Sequence, residues 1–376
     1  MTTSELLSES VESARHRERA ALEDFEPQAG AGIVLYGAGR LGRKAAAALR
    51  KAGITPLAFA DSAPELNGTV IEGIRVCSPA TATQRWRGDA LFAVATFRPD
   101  QGGVAARLRE LAAFGCRRTT TFLPLAWKFP GILPHFGADL PSKLLRKAGD
   151  LLRIASLWCD NTSTDNYRRE LAWRLRADFE GAPVPTPDQY FPRDILRPAP
   201  SESFIDGGAF DGDTLRQAPW PLARVLAVEP DPANAARLRA MSFPGIRVHE
   251  VLLGREPDLA RFNGTGTMAS RREESGALEV PVTTIDLMAA GERPTFIKLD
   301  VEGDELEALK GARETLQRCR PVVAVCLYHR PEDLWTIPLF LHSELPEHRL
   351  YLRVHAHDGF ELVAYAVPPE RCLPAQ

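Results

Sequence analysis

The chain has 376 residues, 44% hydrophobic and 25% charged, with a formal net charge of −3. That length exceeds one ordinary domain and fits two, each large enough to bury its own core, in a composition typical of soluble globular proteins. The slight acidic excess provides no broad basic field for nucleic acid, and no apolar run approaches the roughly 20 residues that a membrane span needs. The six cysteines, at 77, 116, 159, 319, 326 and 372, contain no C-x-x-C pair, so neither a disulfide framework nor a zinc cluster is expected. The N-terminus lacks the apolar core of a signal peptide, and a cytoplasmic protein with reduced thiols is the expectation.

Residues 1–30 are rich in Glu, Arg and Ser with scattered apolar positions, and read as a helical arm that cannot bury much alone. In residues 31–127 the run IVLYGAGRLGRKAAAALRKAG places Gly37, Gly39 and Gly42 between a strand and an alanine-rich helix. The next strand ends on Asp61, 24 positions after Gly37, where a Rossmann unit holds a ribose. A smaller Rossmann-like α/β domain of about five strands is expected here. Two readings stay open. Either the glycines take a pyrophosphate and Asp61 a ribose, or the glycines serve only the turn and the packing of the helix. No Tyr-x-x-x-Lys or Cys/His pair for hydride transfer accompanies them.

Residues 128–200 are a Pro-rich, helical bridging segment, with prolines bracketing a helical stretch from about 140 to 179. Arg168, Arg169, Arg174 and Arg176 read as its solvated face. Residues 201–368 form the second domain. The run SFIDGGAFDGDT takes a buried strand into Asp206, Gly207, Gly208 and Ala209, where small residues let backbone approach a ligand. The following strand, VLAVEP, ends on Glu229, 23 positions after Asp206. An acidic residue there suits bidentate hydrogen bonding to a ribose diol, so the pattern indicates an adenosine cofactor in a doubly wound sheet.

A polar stretch at 261–276 reads as a flap. TFIKLDVEGDELEALKGA then gives a strand ending on Asp300, with Glu302 beside it, and PVVAVCLYH gives a buried strand ending at Tyr328 and His329. His329 is the candidate general base, because imidazole titrates in the useful range. Asp300 and Glu302 face the same crevice as further catalytic candidates, either able to serve as base in its place, but two carboxylates make no metal site, and none is expected. LYLRVHAH and FELVAYAVP, joined at Asp358-Gly359, read as a hairpin supplying an antiparallel edge strand.

Together the runs DNTSTDNYRRELAWRLRADF, DQYFP, FIDGGAFDGDT, AVEPDPAN, FIKLDVEGDELEALKGA, LYHRPEDLWTIPLFL and LYLRVHAH resemble the FkbM family of S-adenosylmethionine-dependent methyltransferases over roughly residues 150–368. The resemblance implies a class I methyltransferase fold: a doubly wound sheet with an antiparallel edge strand. It implies S-adenosyl-L-methionine as cofactor, its methionine portion at Asp206, Gly207, Gly208 and Ala209, with Asp300 able to contact the ammonium, and its ribose at Glu229. It also implies O-methylation of a hydroxyl on a sugar, glycan or other small natural product. Two further classes stay open: a nicotinamide-dependent or bifunctional sugar-modifying enzyme using Gly37 to Asp61, and a cofactor-binding protein without turnover.

Overall fold

The structure, a computed structural model, describes residues 1–23, 32–96, 101–130, 137–264, 271–272 and 276–373. The chain divides into two units. One comprises Met1–Leu152, Arg168–Val184 and Ala356–Phe360, the other Arg153–Tyr167, Pro185–His355 and Glu361–Gln376. These limits differ from the expected bounds in that residues 1–30 fall in the first unit and the stretch 128–200 is divided between the two.

The first unit is built on strands β1 (Ile33–Tyr36), β2 (Ala58–Ala60), β3 (Val70–Ile71), β4 (Ile74–Cys77), β5 (Leu91–Val94) and β6 (Arg118–Thr121). They are ordered β3-β4-β2-β1-β5-β6, parallel except for β3 against β4. Every residue of β1, β2 and β5 is buried, as continuous apolar runs must be when helices cover both faces of a parallel sheet.

The N-terminal helices Thr3–Leu7 and Val11–Ala20 belong to this unit, where they bury Leu6, Leu7 and Ala14. Glu18 takes the Ser142 backbone N–H at 2.6 Å, which caps a helix start. Helix Asn161–Arg176 explains why the expected bridge is divided. Its later turns carry Trp173, and Phe179 lies just beyond its end; both are packed in the core of the first unit. Arg174 is therefore not on a solvated face: it is buried, 3.3 Å from Glu170 and donating to the Gly137 carbonyl at 2.9 Å.

The second unit holds β7 (Glu202–Gly207), β8 (Leu222–Val228), β9 (Ile246–His249), β10 (Leu252–Leu253), β11 (Asp258–Asn263), β12 (Arg271–Arg272), β13 (Leu278–Thr283), β14 (Phe296–Leu299), β15 (Val322–Cys326), β16 (Arg349–Val354) and β17 (Leu362–Val367). The main sheet runs β16-β17-β15-β14-β7-β8-β9. Strands β15, β14, β7, β8 and β9 are parallel, whereas β17 is antiparallel to both β15 and β16.

The smaller sheet, β10-β13-β11-β12, encloses its own cluster of Leu252, Ala260, Phe262, Val280 and Val282. The run IRVHEVLLG at 246–254 is divided between the two sheets, with β9 in the main one and β10 in the smaller. Most of the stretch read as a flap lies outside the described residues.

The connection between β16 and β17 is no tight two-residue turn. It makes an excursion into the first unit, where the Asp358 carboxylate accepts the Val104 N–H at 2.9 Å in the first turn of helix Gly103–Ala113. Among the described residues no helix is long and apolar enough to cross a membrane.

Candidate functional site

Parallel strands deliver the residues that follow them to one edge of a sheet, which is where ligands bind in open α/β folds. In the second unit, β7 brings Asp206 there, β8 brings Glu229, β14 brings Asp300, and β15 brings Tyr328 and His329. Strand β17 runs the other way, with Val363 opposite Cys326, so the residue just before it, Glu361, reaches the same edge.

Asp206 and Lys298 are direct partners across β7 and β14. Both are fully buried, and Nζ of Lys298 lies 3.1 Å from Oδ1 of Asp206 while donating to the Gly208 carbonyl at 2.7 Å. Burial works against both charges. It pushes the Asp206 carboxyl above its usual range, whereas Asp206 and then Asp300 outweigh it for Lys298 and hold the ammonium protonated. Neither oxygen of Asp206 receives a hydrogen bond of good geometry. Such a carboxylate is costly unless a donor comes from outside the protein.

Gly208 has to be glycine: φ is +75°, and a Cβ would stand 1.8 Å from the Asp300 carbonyl oxygen. The backbone N–H groups of this turn are not turned outward as the sequence suggests. Gly208 and Ala209 both donate to the Val228 carbonyl at 3.0 Å, and the carbonyl of Gly207 accepts from Asp300. Glu229 takes the N–H of Phe210 and of Asp231, each at 2.9 Å, and burial raises its carboxyl to about 7. It braces the turn with the Asn234 side chain as a further donor, and a carboxylate offers about four acceptor positions in all.

Asp300 accepts from the Tyr190 hydroxyl at 2.8 Å and the Tyr328 hydroxyl at 3.3 Å. Burial opposes its charge, but Lys298 and His329 outweigh it and hold the carboxyl below its ordinary range. The imidazole of His329 lies among carboxylates. Nδ1 is 2.8 Å from Glu305, and Nε2 is 3.5 Å from Asp300 and 3.7 Å from Glu302. Neither nitrogen has a hydrogen bond of good geometry. Burial disfavours the imidazolium, yet Glu305 foremost, then Asp300 and Glu302, raise its pKa to about 10. The carboxylates around it thus favour the protonated imidazole, which is not the form that the expected general base needs.

Glu302 has φ of +56°, a left-handed conformation that costs a non-glycine residue roughly 1–2 kcal/mol. Glu305 imposes it by accepting the N–H of Val301 at 2.8 Å and of Gly303 at 3.3 Å, so the turn closes around its carboxylate. Burial raises Glu302 to about 7, and Glu361, beside Asp300, is raised to about 7 as well. Glu361 accepts from the Gln189 amide and from Tyr328 at 3.4 Å, and it has no ion pair among the described residues. Asp300 thus belongs to two groupings with metal-ligand spacing, one with Glu305 and His329, the other with Cys326 and Glu361.

Sequence reasoning missed Lys298, Tyr190, Glu305 and Glu361. Lys298 left a signal, because a lysine inside the apolar strand FIKL must pair with an acid if that strand is central. Glu361 left none, since only strand order and direction place it.

The remaining candidates, Gly37, Gly39, Gly42 and Asp61, lie in the first unit. The chain's own packing accounts for two of the glycines. Gly37 has φ of +115°, and a Cβ on Gly42 would meet the Gly37 carbonyl oxygen at 2.0 Å, whereas one on Gly39 would meet nothing within 4 Å. Asp61 accepts from Ala38 N at 2.7 Å and Ala63 N at 2.9 Å, closing its turn as Glu229 does in the second unit.

Residues 206–362 match a family model described as the methyltransferase FkbM domain. A search of solved structures gave the crystal structure of a methyltransferase FkbM from Methylobacillus flagellatus KT, with a TM-score of 0.73 at 22% identity. The match covers 94% of this chain and 93% of that one, and at such identity it speaks for the fold. No curated protein matches the chain.

Proposed function

Since this chain carries a methyltransferase FkbM domain over residues 206–362, we propose that it moves a methyl group from S-adenosylmethionine to a hydroxyl of a sugar, glycan or natural product. One observation carries the choice of donor: a fully buried Asp206 carboxylate without a good hydrogen bond, on the strand next to the one that ends at Glu229. The residues fit the cofactor. Asp206 offers an acceptor to an ammonium, directly or through water, and Glu229 offers its remaining acceptor capacity to a ribose diol.

When bound, the sulfonium supplies an already activated methyl, so the protein's tasks are positioning and removal of a proton. Lys298 fixes Asp206 and the Gly208 carbonyl in place, and Asp300, with the Tyr190 and Tyr328 hydroxyls, forms the polar wall on the neighbouring strand. The proton goes to Glu361. Among the carboxylates of this edge, Asp206 is paired with Lys298, and Asp300, Glu302 and Glu305 each lie within 4.0 Å of His329, whereas Glu361 has no cation at that distance among the described residues.

Calorimetric titration of the full chain with S-adenosylmethionine, followed by transfer of labelled methyl to a panel of sugars and hydroxylated natural products, tests the reading. Saturable binding lost in Asp206→Leu and Glu229→Ala is the expected result. A folded protein that ignores the cofactor would refute it.

A further inference from the structure

The backbone of Glu361 is fixed by its neighbour across the hairpin: its carbonyl accepts the His355 N–H at 3.0 Å, and its φ is +50°. Its side chain is held from elsewhere. Oε2 accepts from the Gln189 amide, and Oε1 lies 3.4 Å from the Tyr328 hydroxyl, which is long for a hydroxyl donor. That hydroxyl is also 3.3 Å from Oδ1 of Asp300, and its single proton cannot serve both carboxylates at once. Gln189 is therefore the donor that fixes the carboxylate.

Gln189 lies in a segment, residues 186–190, whose backbone is strained on both sides of it. φ is +62° at Asp188 and +64° at Tyr190, left-handed values that non-glycine residues seldom adopt and that persist where their surroundings fix them. Two ties to the hairpin of β16 and β17 do so: Thr186 N–H donates to the Val354 carbonyl at 2.7 Å, and Tyr190 N–H to the Tyr365 hydroxyl at 3.1 Å. His355 joins the ties, with Nδ1 2.8 Å from the Thr186 carbonyl and Nε2 2.9 Å from the Tyr365 hydroxyl. The Tyr190 hydroxyl donates to Asp300 at 2.8 Å, and its ring lies 5.1 Å from Nζ of Lys298. All of these residues belong to the second unit.

We propose that Gln189 is the positioning residue of the base, its amide engaging Oε2 of Glu361 so that the loosely held Oε1 receives the acceptor proton. What Glu361 does rests on the methyl-transfer reading; how it is held does not. The surrounding charges agree. Burial and then Asp300 push the Glu361 carboxyl up to about 7, while Gln189, His329 and Lys298 pull the other way. Glu302, the Cys326 thiol and the Tyr190 and Tyr328 phenols also face it. Gln189 carries no charge, so exchanging it isolates the hydrogen bond.

The test compares full-length Gln189→Met, which keeps the stem, and Gln189→Ala with wild type, each alone and combined with Glu361→Gln. Single-turnover methyl transfer should slow about tenfold or more, the loss of one hydrogen bond to a charged group, while acceptor KM and S-adenosylmethionine affinity persist. In the Glu361→Gln background the same exchanges should change the rate by less than about twofold. Equal slowing in both backgrounds, or a raised KM with kcat unchanged, overturns the assignment. Carboxyl 13C spectra, with Glu361 identified by its loss in Glu361→Gln, read the contact without turnover. Removing a donor disfavours the charged form, so Glu361 should titrate about one unit higher in Gln189→Met; an unmoved titration overturns the contact. Where neither Gln189 variant folds, 15N spectra of the wild type decide: one glutamine side-chain amide should follow the pH and cease to do so in Glu361→Gln. A shifted titration in a protein that transfers no methyl leaves this contact standing and removes the methyl-transfer reading, and transfer with an unmoved titration does the reverse.

Discussion

Replacing Lys298 by Met puts the buried charge pair of the glycine turn to the test. The substitution keeps most of the aliphatic stem but deletes the ammonium, leaving the fully buried Asp206 carboxylate without its cation and the Gly208 carbonyl without its donor. Breaking a buried pair by removing one partner costs about 3–5 kcal/mol. For a domain of this size about 2–4 °C of melting temperature is lost per kcal/mol, so the second unit should melt about 6–20 °C lower. The assay is differential scanning calorimetry of the full chain, in which the transition of the first unit serves as internal reference. A double-mutant cycle with Asp206→Asn should show coupling of at least about 2 kcal/mol, because the doubly substituted protein no longer buries an unpaired charge. A melting temperature within about 2 °C of wild type, below that expected even for the loss of one kcal/mol, would refute the pairing.

Three further outcomes are expected. Glu229→Ala removes the acceptor for Phe210 and Asp231 as well as the proposed ribose contact, so cofactor affinity measured by calorimetry should fall at least about tenfold; an unchanged affinity would make Glu229 a brace of the turn alone. Glu361→Gln keeps shape and hydrogen bonding but cannot take a proton, and single-turnover methyl transfer should slow by about a hundred- to ten-thousandfold while cofactor binding persists. A rate within about threefold of wild type, short of the hundredfold floor for a lost base, would remove it from the mechanism. In the first unit, burial raises Asp358 to about 6. Its folded pKa exceeds the unfolded one, so its contribution to stability is fully present below about pH 4 and is lost as the pH rises through about 6. Asp358→Asn, which can still accept the Val104 N–H, should stabilise at pH 8 by up to about 3 kcal/mol and change little at pH 4, as read from denaturant melts; equal effects at both values would contradict the assignment.

The sequence by itself determined what depends on neighbours along the chain. The apolar runs IVLY, LFAV and FIKL had to become buried strands, and Gly208 had to be glycine because the turn before Ala209 needs a positive φ. The acids Asp61 and Glu229 were legible as strand-end residues because a fixed spacing from a glycine turn places them there. Their use of backbone N–H groups as a brace was not, because it depends on how closely two strand ends approach.

Tertiary structure alone decided the charge states. His329 looks like a base in the sequence because imidazole titrates near neutrality in water. In the fold a loop, a helix start and a neighbouring strand end surround it with carboxylates, which favour its protonated form. Glu361 lies 61 residues from Asp300 and outside every motif, and enters the site because β17 is antiparallel to β15. Helix Asn161–Arg176 likewise reads as one amphipathic bridge, yet its later turns belong to the first unit, because burial of Trp173 depends on apolar partners distant in sequence. Local propensity acts over a few residues, whereas strand order, desolvation and the balance of charges are set by segments that meet only when the chain has folded.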